Sequence, residues 1–292
     1  MKKTLIKKQI LLFLVLLVLA PGCATLGSIF GRSGSDIQPP PDILLPDLSK
    51  AEVVSKVNSN YVSIQSFCDM RAKMVYYDEN SALPFGNSIA LQITLEKDDK
   101  MRLLGKHAAA GKVIDVGSDG EKFWFQMRNS PLYFCRFKDY PFSPEAQKLL
   151  HGIPPSQLLD LTALREIDVP LKNIEMRPLN DGCYQLIFPI KTVAGNFRKV
   201  LYVNNAALVF QVELRRMDQS GPVIKNVMSD FRKSEAMGIW FPRKHTIYVD
   251  GKERMKITLS DALALNASNP PGAMPQSDNI VDLGSSVAPN KL

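Results

Sequence analysis

Few groups in this chain are typed and spaced for chemistry. His107, His151 and His245 are its only histidines, and none stands at metal-ligating spacing from another His or a Cys. There is no CxxC pair, no Gly-rich phosphate cradle ending in Lys-Ser/Thr, no GxSxG nucleophile elbow and no HExxH zinc motif. Asp119 and Glu121 come nearest to paired carboxylates, but they flank Gly120 in Ser118-Asp119-Gly120-Glu121, which reads as a solvated hairpin turn. The residue types therefore argue against an enzyme and call for no metal and no cofactor. One thiol is placed differently from the rest. Cys23 follows directly on an apolar run near the start of the chain.

That run explains the thiol. Lys2, Lys3, Lys7 and Lys8 form a basic start, Ile10 to Ala20 is uncharged and mostly aliphatic, and Pro21-Gly22-Cys23 follows. An export signal needs an apolar stretch of about 7–15 residues, whereas a spanning helix needs about 20. The stretch suits export and is too short to span. Gly22-Cys23 resembles a bacterial lipobox, in which a small residue precedes a Cys that is lipidated and becomes the new N-terminus. Ala20 stands where that motif usually has Leu, and Pro21 is unusual before the Gly. Ordinary cleavage after Ala24 is the alternative; the spacing of the Cys from the apolar run favours lipidation. Ala24 after the Cys, in place of Asp, implies by the same resemblance an address at the periplasmic face of the outer membrane.

Charge then loses its weight as evidence. The whole chain carries +7, but the four signal lysines have no acidic partner, leaving +3 for the rest. That balance gives no ground for a nucleic-acid partner. Beyond Cys23 the cysteines are Cys68, Cys135 and Cys183, each in an apolar strand-like run. They read as small buried core residues, with a Cys68–Cys135 or Cys135–Cys183 bridge as the lesser alternative.

Four segments follow: residues 1–22 as signal, 23–48 as a lipidated N-terminus and Pro/Gly/Ser tether, 49–265 as the folded domain, and 266–292 as a mostly unstructured tail rich in Pro, Asn, Ser and Gly. The domain opens with a helix. Ser49 and Glu52 make a capping box, and Val53, Val54, Val57 and Tyr61 make one apolar stripe. After Ser66 the period shortens to two. Ile89, Leu91, Ile93 and Leu95 alternate with Ala90, Gln92, Thr94 and Glu96, and turns such as Lys97-Asp98-Asp99-Lys100 separate short strands. Short helical pieces are expected at Pro144 to His151 and from Ser156 to about Leu164, with an apolar side that includes Leu149 and Leu158. Strands resume from Ile174 and continue to a last one over Lys252 to Leu265. The expected fold is mainly β with short helices: an incomplete antiparallel barrel, or strongly curved sheet, under a helical lid. Core and cavity lining use the same residue types, and Trp124 belongs to one or the other.

The loop Ser81-Ala82-Leu83-Pro84-Phe85-Gly86 is apolar where a strand connection is normally polar. Leu83 and Phe85 either fold back onto the sheet or form an exposed tip that meets a bilayer or an acyl chain.

The stretch Asn60-Tyr61-Val62-Ser63-Ile64-Gln65-Ser66-Phe67, the meander after it, and Gly117-Ser118-Asp119-Gly120-Glu121-Lys122-Phe123-Trp124 resemble the outer-membrane lipoprotein-sorting proteins of LolA/LolB type, and an uncharacterised LolB-like lipoprotein branch in particular. The resemblance covers roughly residues 50–265 in layout, with its residue matches within 57–127. It implies a half-barrel whose apolar cavity accepts acyl chains of lipids or lipoproteins, and Leu83, Phe85, Trp124, Leu149 and Leu158 are the candidate ligand-binding residues. A lipid at Cys23 makes the layout that of the anchored receptor, which would receive cargo from a periplasmic carrier. A structural or regulatory envelope lipoprotein that uses the same fold to bind protein is the alternative.

Overall fold

The computed structural model describes residues 48–77, 87–97, 99–149, 157, 160–162, 164–179, 182–217, 221–235, 237–266, 272 and 274–284. The signal, Cys23, the tether and the Leu83/Phe85 loop lie outside the described residues.

Helix α1 (Lys50–Val62) begins where the capping box places it. Ser49 Oγ accepts from the Glu52 amide, and the Glu52 carboxylate accepts from the Ser49 amide. Its stripe of Val53, Val54, Val57 and Tyr61 is buried. Six strands follow as a meander: β1 (Ser66–Tyr76), β2 (Asn87–Glu96), β3 (Lys100–His107), β4 (Gly111–Asp119), β5 (Lys122–Met127) and β6 (Leu132–Arg136). A 3-10 turn (Tyr140–Phe142), helix α2 (Pro144–Leu149) and a second 3-10 turn (Leu171–Asn173) occupy the middle. Then come β7 (Glu175–Pro178), β8 (Tyr184–Thr192), β9 (Gly195–Val203), β10 (Val209–Arg216), β11 (Ile224–Lys233), β12 (Trp240–Val249), β13 (Lys252–Thr258), β14 (Ala264–Leu265) and β15 (Ile280–Asp282).

All the strands form one sheet in the order β15-β6-β5-β4-β3-β2-β1-β13-β12-β11-β10-β9-β8-β7, with β14 also on β1. Among the described residues only β15 and β6 pair in parallel. The ends of that order, β15 and β7, are not paired with each other, so the expected curved, unclosed sheet is what forms. The inner face follows from alternation. Ile89, Leu91, Ile93 and Leu95 are buried, whereas Ser88 and Ala90 are exposed and Gln92, Thr94 and Glu96 half-buried. Direct pairing continues the inner row across the second half, through Leu186, Leu201, Val212, Asn226, Ile247 and Met255.

The meander β1–β6 joins the run β7–β13 at one place, the pairing of β1 with β13 and β14. Lys73 to Tyr76 face Thr258 to Met255, and Phe67 and Cys68 face Leu265 and Ala264. The sequence suggests one continuous strand from Lys252 to Leu265; the chain instead breaks after Thr258. The break has a specific partner. The fully buried Asp69 carboxylate accepts from the Ser260 amide (2.6 Å), the Ser260 hydroxyl (2.7 Å) and the Arg71 amide (2.8 Å), and β1 bulges between Asp69 and Ala72.

Within the stretch read as an unstructured tail, β15 lies along β6 and is clamped by bonds from the Leu132 amide to the Asn279 carbonyl and from the Leu283 amide to the Phe134 carbonyl. Ser143 caps α2 at the Ala146 amide and donates its hydroxyl to the Leu283 carbonyl, which fixes tail and helix together. Cys68, Cys135 and Cys183 are not joined in disulfides, so neither disulfide alternative forms.

Asp69→Ala would leave three donors at the seam without their acceptor, each costing about 1 kcal/mol or more. The expected result is a loss on the order of 3 kcal/mol in urea unfolding, with Asp69→Asn losing less.

Candidate functional site

An apolar cavity of about 80 Å³ lies on the inner face, across the seam. Its walls come from both halves: Ile93, Leu95, Met101 and Leu103 from β2 and β3, and Phe241, Ile247, Met255 and Ile257 from β12 and β13. Phe67 of β1 meets Phe241 at 5.8 Å between ring centroids and closes one side. Leu161 and Thr162, from the segment after α2, form the roof. Apolar cavities of roughly 150 Å³ stay dry and take up benzene-sized guests. This one is smaller, and its volume suits the end of an aliphatic chain.

Two polar side chains stand in that apolar setting. Asn226 and His245 lie on adjacent inner-face strands, in rows with Val212 and Ile247 and with Met228 and Ile257. The Asn226 amide donates to the Leu161 carbonyl of the roof at 2.8 Å and to His245 Nδ1 at 3.1 Å, so the ring is neutral with its proton on Nε2. Burial pushes His245 down from 6.5 to about 4. Asn226 Oδ1 is left without a hydrogen-bond partner.

The roof is pinned at its rim by charge. Lys199, on β9, shares the inner face with Phe197 and Leu201 and is only 4% exposed. Its Nζ lies 3.6 Å from the Asp160 carboxylate, and Arg165 Nε lies 3.6 Å from the same oxygen. Arg165 also pairs with Asp99 in the β2–β3 turn. Burial pushes the Asp160 carboxyl up and the Lys199 ammonium down, and their mutual attraction opposes both shifts. Asn58 of α1 completes the rim, accepting from the Ile167 amide at 2.9 Å. The roof is thus held to α1, to β9 and to the β2–β3 turn by polar contacts, while apolar surface lies beneath it.

Of the residues singled out from sequence, Trp124 is placed away from this cavity. It is fully buried, but its neighbours Phe123 and Phe125 take the inner face and Trp124 the outer one. Its indole N–H donates to the Asp115 carboxylate at 3.2 Å, and the same carboxylate takes two bonds from Arg102. Its ring fills the space over Gly117, where a Cβ would lie 2.2 Å from it. An aromatic residue inside a strand gives no sign of which face it takes until the register is fixed. Leu149 ends α2, though its side chain, Leu158, and the Leu83 and Phe85 loop lie outside the described residues. Asp119 and Glu121 do form a turn: Asp119 accepts from the Glu121 and Lys122 amides, and Gly120 takes a φ of 93°.

Lys199 and Asn226 escaped the sequence reading, and His245 entered it only as a histidine without a metal-ligating neighbour, yet the first two carry a signal. In Phe197-Arg198-Lys199-Val200-Leu201 and in Ile224-Lys225-Asn226-Val227-Met228, a polar residue sits at the apolar phase of the alternation. Among the described residues, no group of three or more His, Cys, Asp and Glu could hold a metal ion. No described helix is long and apolar enough to cross a membrane.

No protein-family model matches the chain, and no curated protein matches it. Solved structures do. A LolA superfamily protein from Nitrosomonas europaea is similar at 10% identity and a TM-score of 0.48, over 75% of this chain and 94% of that one. A domain named for outer membrane lipoprotein sorting, from Vibrio parahaemolyticus, is similar at 10% identity and 0.47, over 74% and 92%. A DUF1329 family protein from Desulfovibrio piger is similar at 13% identity and 0.46, over 75% and 92%.

His245 makes stability depend on pH in a defined direction. The folded state holds the ring neutral, so its contribution is complete above pH 6.5 and is lost as pH falls from 6.5 through about 4. Chemical unfolding of wild type and His245→Phe across that window should converge as pH drops, by on the order of 3 kcal/mol. Parallel curves would show that the ring is not buried neutral.

Proposed function

We propose that this chain is an envelope lipoprotein, anchored through Cys23 at the periplasmic face of the outer membrane, that holds acyl chains of lipids or lipoproteins in its inner-face cavity. The observation that carries the reading is a cavity walled by aliphatic and aromatic side chains from both halves of an unclosed sheet, beneath a roof held by polar contacts at its rim. An acyl chain in water costs about 0.8 kcal/mol for each exposed methylene, and burial in such a cavity recovers that without any covalent step. A chain longer than the present void holds requires the roof to rise, which breaks the rim contacts and uncovers Leu161, Leu164 and Ile167 for the chain to replace. A periplasmic carrier that delivers the cargo is the partner this reading calls for, and no reaction need be catalysed.

The small volume favours a second reading, in which the interior is effectively filled and the fold serves to bind a protein. Uptake of a neutral fluorescent acyl probe separates the two. Under the first reading the purified full chain takes up the probe, and Met255→Trp, which fills the cavity from β13, lowers uptake at least tenfold while the melting midpoint moves by only a few degrees. A chain that neither takes up the probe nor yields acyl lipid on extraction supports the second.

Anchoring is tested separately. Metabolic labelling with palmitate should mark the wild-type chain and not Cys23→Ser; equal labelling would remove Cys23 from the proposal.

A further inference from the structure

A second pocket, of about 350 Å³, lies on the inner face toward the tip of the β8–β9 hairpin, lined by Tyr140, Pro141, Gln147, the turn from Thr192 to Gly195, and Arg216. Tyr140 is 1% exposed, with its ring edge-on to Phe123 at 5.7 Å, yet its hydroxyl has no hydrogen-bond partner. Buried polar groups are nearly always satisfied, and this hydroxyl, on a residue that lines the pocket, is a donor left over. Arg216 lies directly opposite Phe197 on the inner face, its guanidinium 5.8 Å above that ring. Among the described residues no carboxylate comes within ion-pair distance of it. The ring holds the cation loosely by its face, and the guanidinium N–H donors have no protein acceptor among the described residues.

The other polar groups of the pocket are already used. The Gln147 side-chain amide donates to the Tyr140 and Pro141 carbonyls at 3.1 and 2.8 Å, covering the acceptors that would repel an anion. Thr192 Oγ1 takes bonds from Gln157 and from the Ala194 amide and donates to the Gly195 carbonyl. What remains is a hydroxyl donor and a planar cation. Those two donors are suited to an oxyanion.

We infer that the Tyr140–Arg216 pocket binds a phosphate oxyanion, either the headgroup phosphate of a lipid or a free phosphate. The site goes beyond the acyl-binding reading, since an apolar chain in the cavity uses neither residue. Calorimetric titration of the purified full chain with inorganic phosphate and with short-chain dihexanoylphosphatidylglycerol tests it, using Arg216→Gln and Tyr140→Phe, the latter keeping the ring against Phe123. Binding of both ligands, each weakened about tenfold by Arg216→Gln and several-fold by Tyr140→Phe, supports the site with the free anion as a sufficient source. Binding of the lipid alone, with the same sensitivity, supports it with the headgroup as the source. Failure of both ligands to bind, or binding indifferent to both substitutions, overturns it. Uptake of the neutral acyl probe is measured on the same proteins and is expected to stay unchanged in both variants. Loss of this site and loss of the acyl cavity are therefore separate results.

Discussion

Everything on the inner face depends on the seam where β1 meets β13 and β14. The apolar cavity takes its walls from both halves. The walls of β2 and β3 face those of β12 and β13 only because β1 pairs on both its edges, and the sheet has no second closure between β15 and β7. The seam is also where the ladder is least regular. Between β13 and β14 the pairing with β1 is interrupted, and the Asp69 carboxylate takes its place at Ser260. A buried carboxylate is expensive unless fully hydrogen-bonded, and three close donors satisfy this one. Placing it at a bulge lets the sheet turn sharply there, which a regular ladder would resist.

Curvature sets the next constraint. An unclosed sheet with a continuous apolar inner face must be covered, and two different elements do it. Helix α1 covers the face with a buried stripe and is tied to the second half by backbone carbonyls, through Lys50 to Ile174 and Asn60 to Ala207. The segment around Leu161, Leu164 and Ile167 covers the rest with buried side chains, and its fixings are polar: Asp160, Arg165 and the carbonyl that Asn226 holds. The contrast matters energetically. A buried ion pair contributes little net stability because desolvation offsets its attraction, while its geometry is specific. In this cover the buried Leu161, Leu164 and Ile167 supply the burial, and the polar fixings supply the placement.

How far the sequence discloses this depends on range. The capping box at Ser49 and Glu52, the buried stripe of α1 and the turn at Asp119-Gly120 are local, set by residues within a few positions of one another, and they form as read. Period-two alternation likewise yields the strands and, for β2, the inner face. What stays hidden is set by pairing across long separations. The break of the last strand needs Asp69, 191 residues from Ser260. Trp124 takes the outer face because Gly117 on the neighbouring strand leaves room for its ring and Asp115 offers its indole an acceptor. The short strand β15 depends on β6 accepting a parallel partner and on Ser143 holding the Leu283 carbonyl. None of these partners can be chosen before the register is known.

The polar residues on the inner face follow the same logic. Lys199, Asn226 and Arg216 each stand at the apolar phase of a strand, where folding alone favours a hydrocarbon side chain. Two of them are answered from outside their own strands, Lys199 by Asp160 and Asn226 by the Leu161 carbonyl. Arg216 is set over Phe197 with no carboxylate opposite it among the described residues. It stands half-buried at the end of its strand, where its charge keeps access to solvent and to the pocket. The answered polar groups, Lys199 and Asn226, thus belong to the part of the inner face that holds its own cover, and Arg216 belongs to the separate pocket at the β8–β9 hairpin.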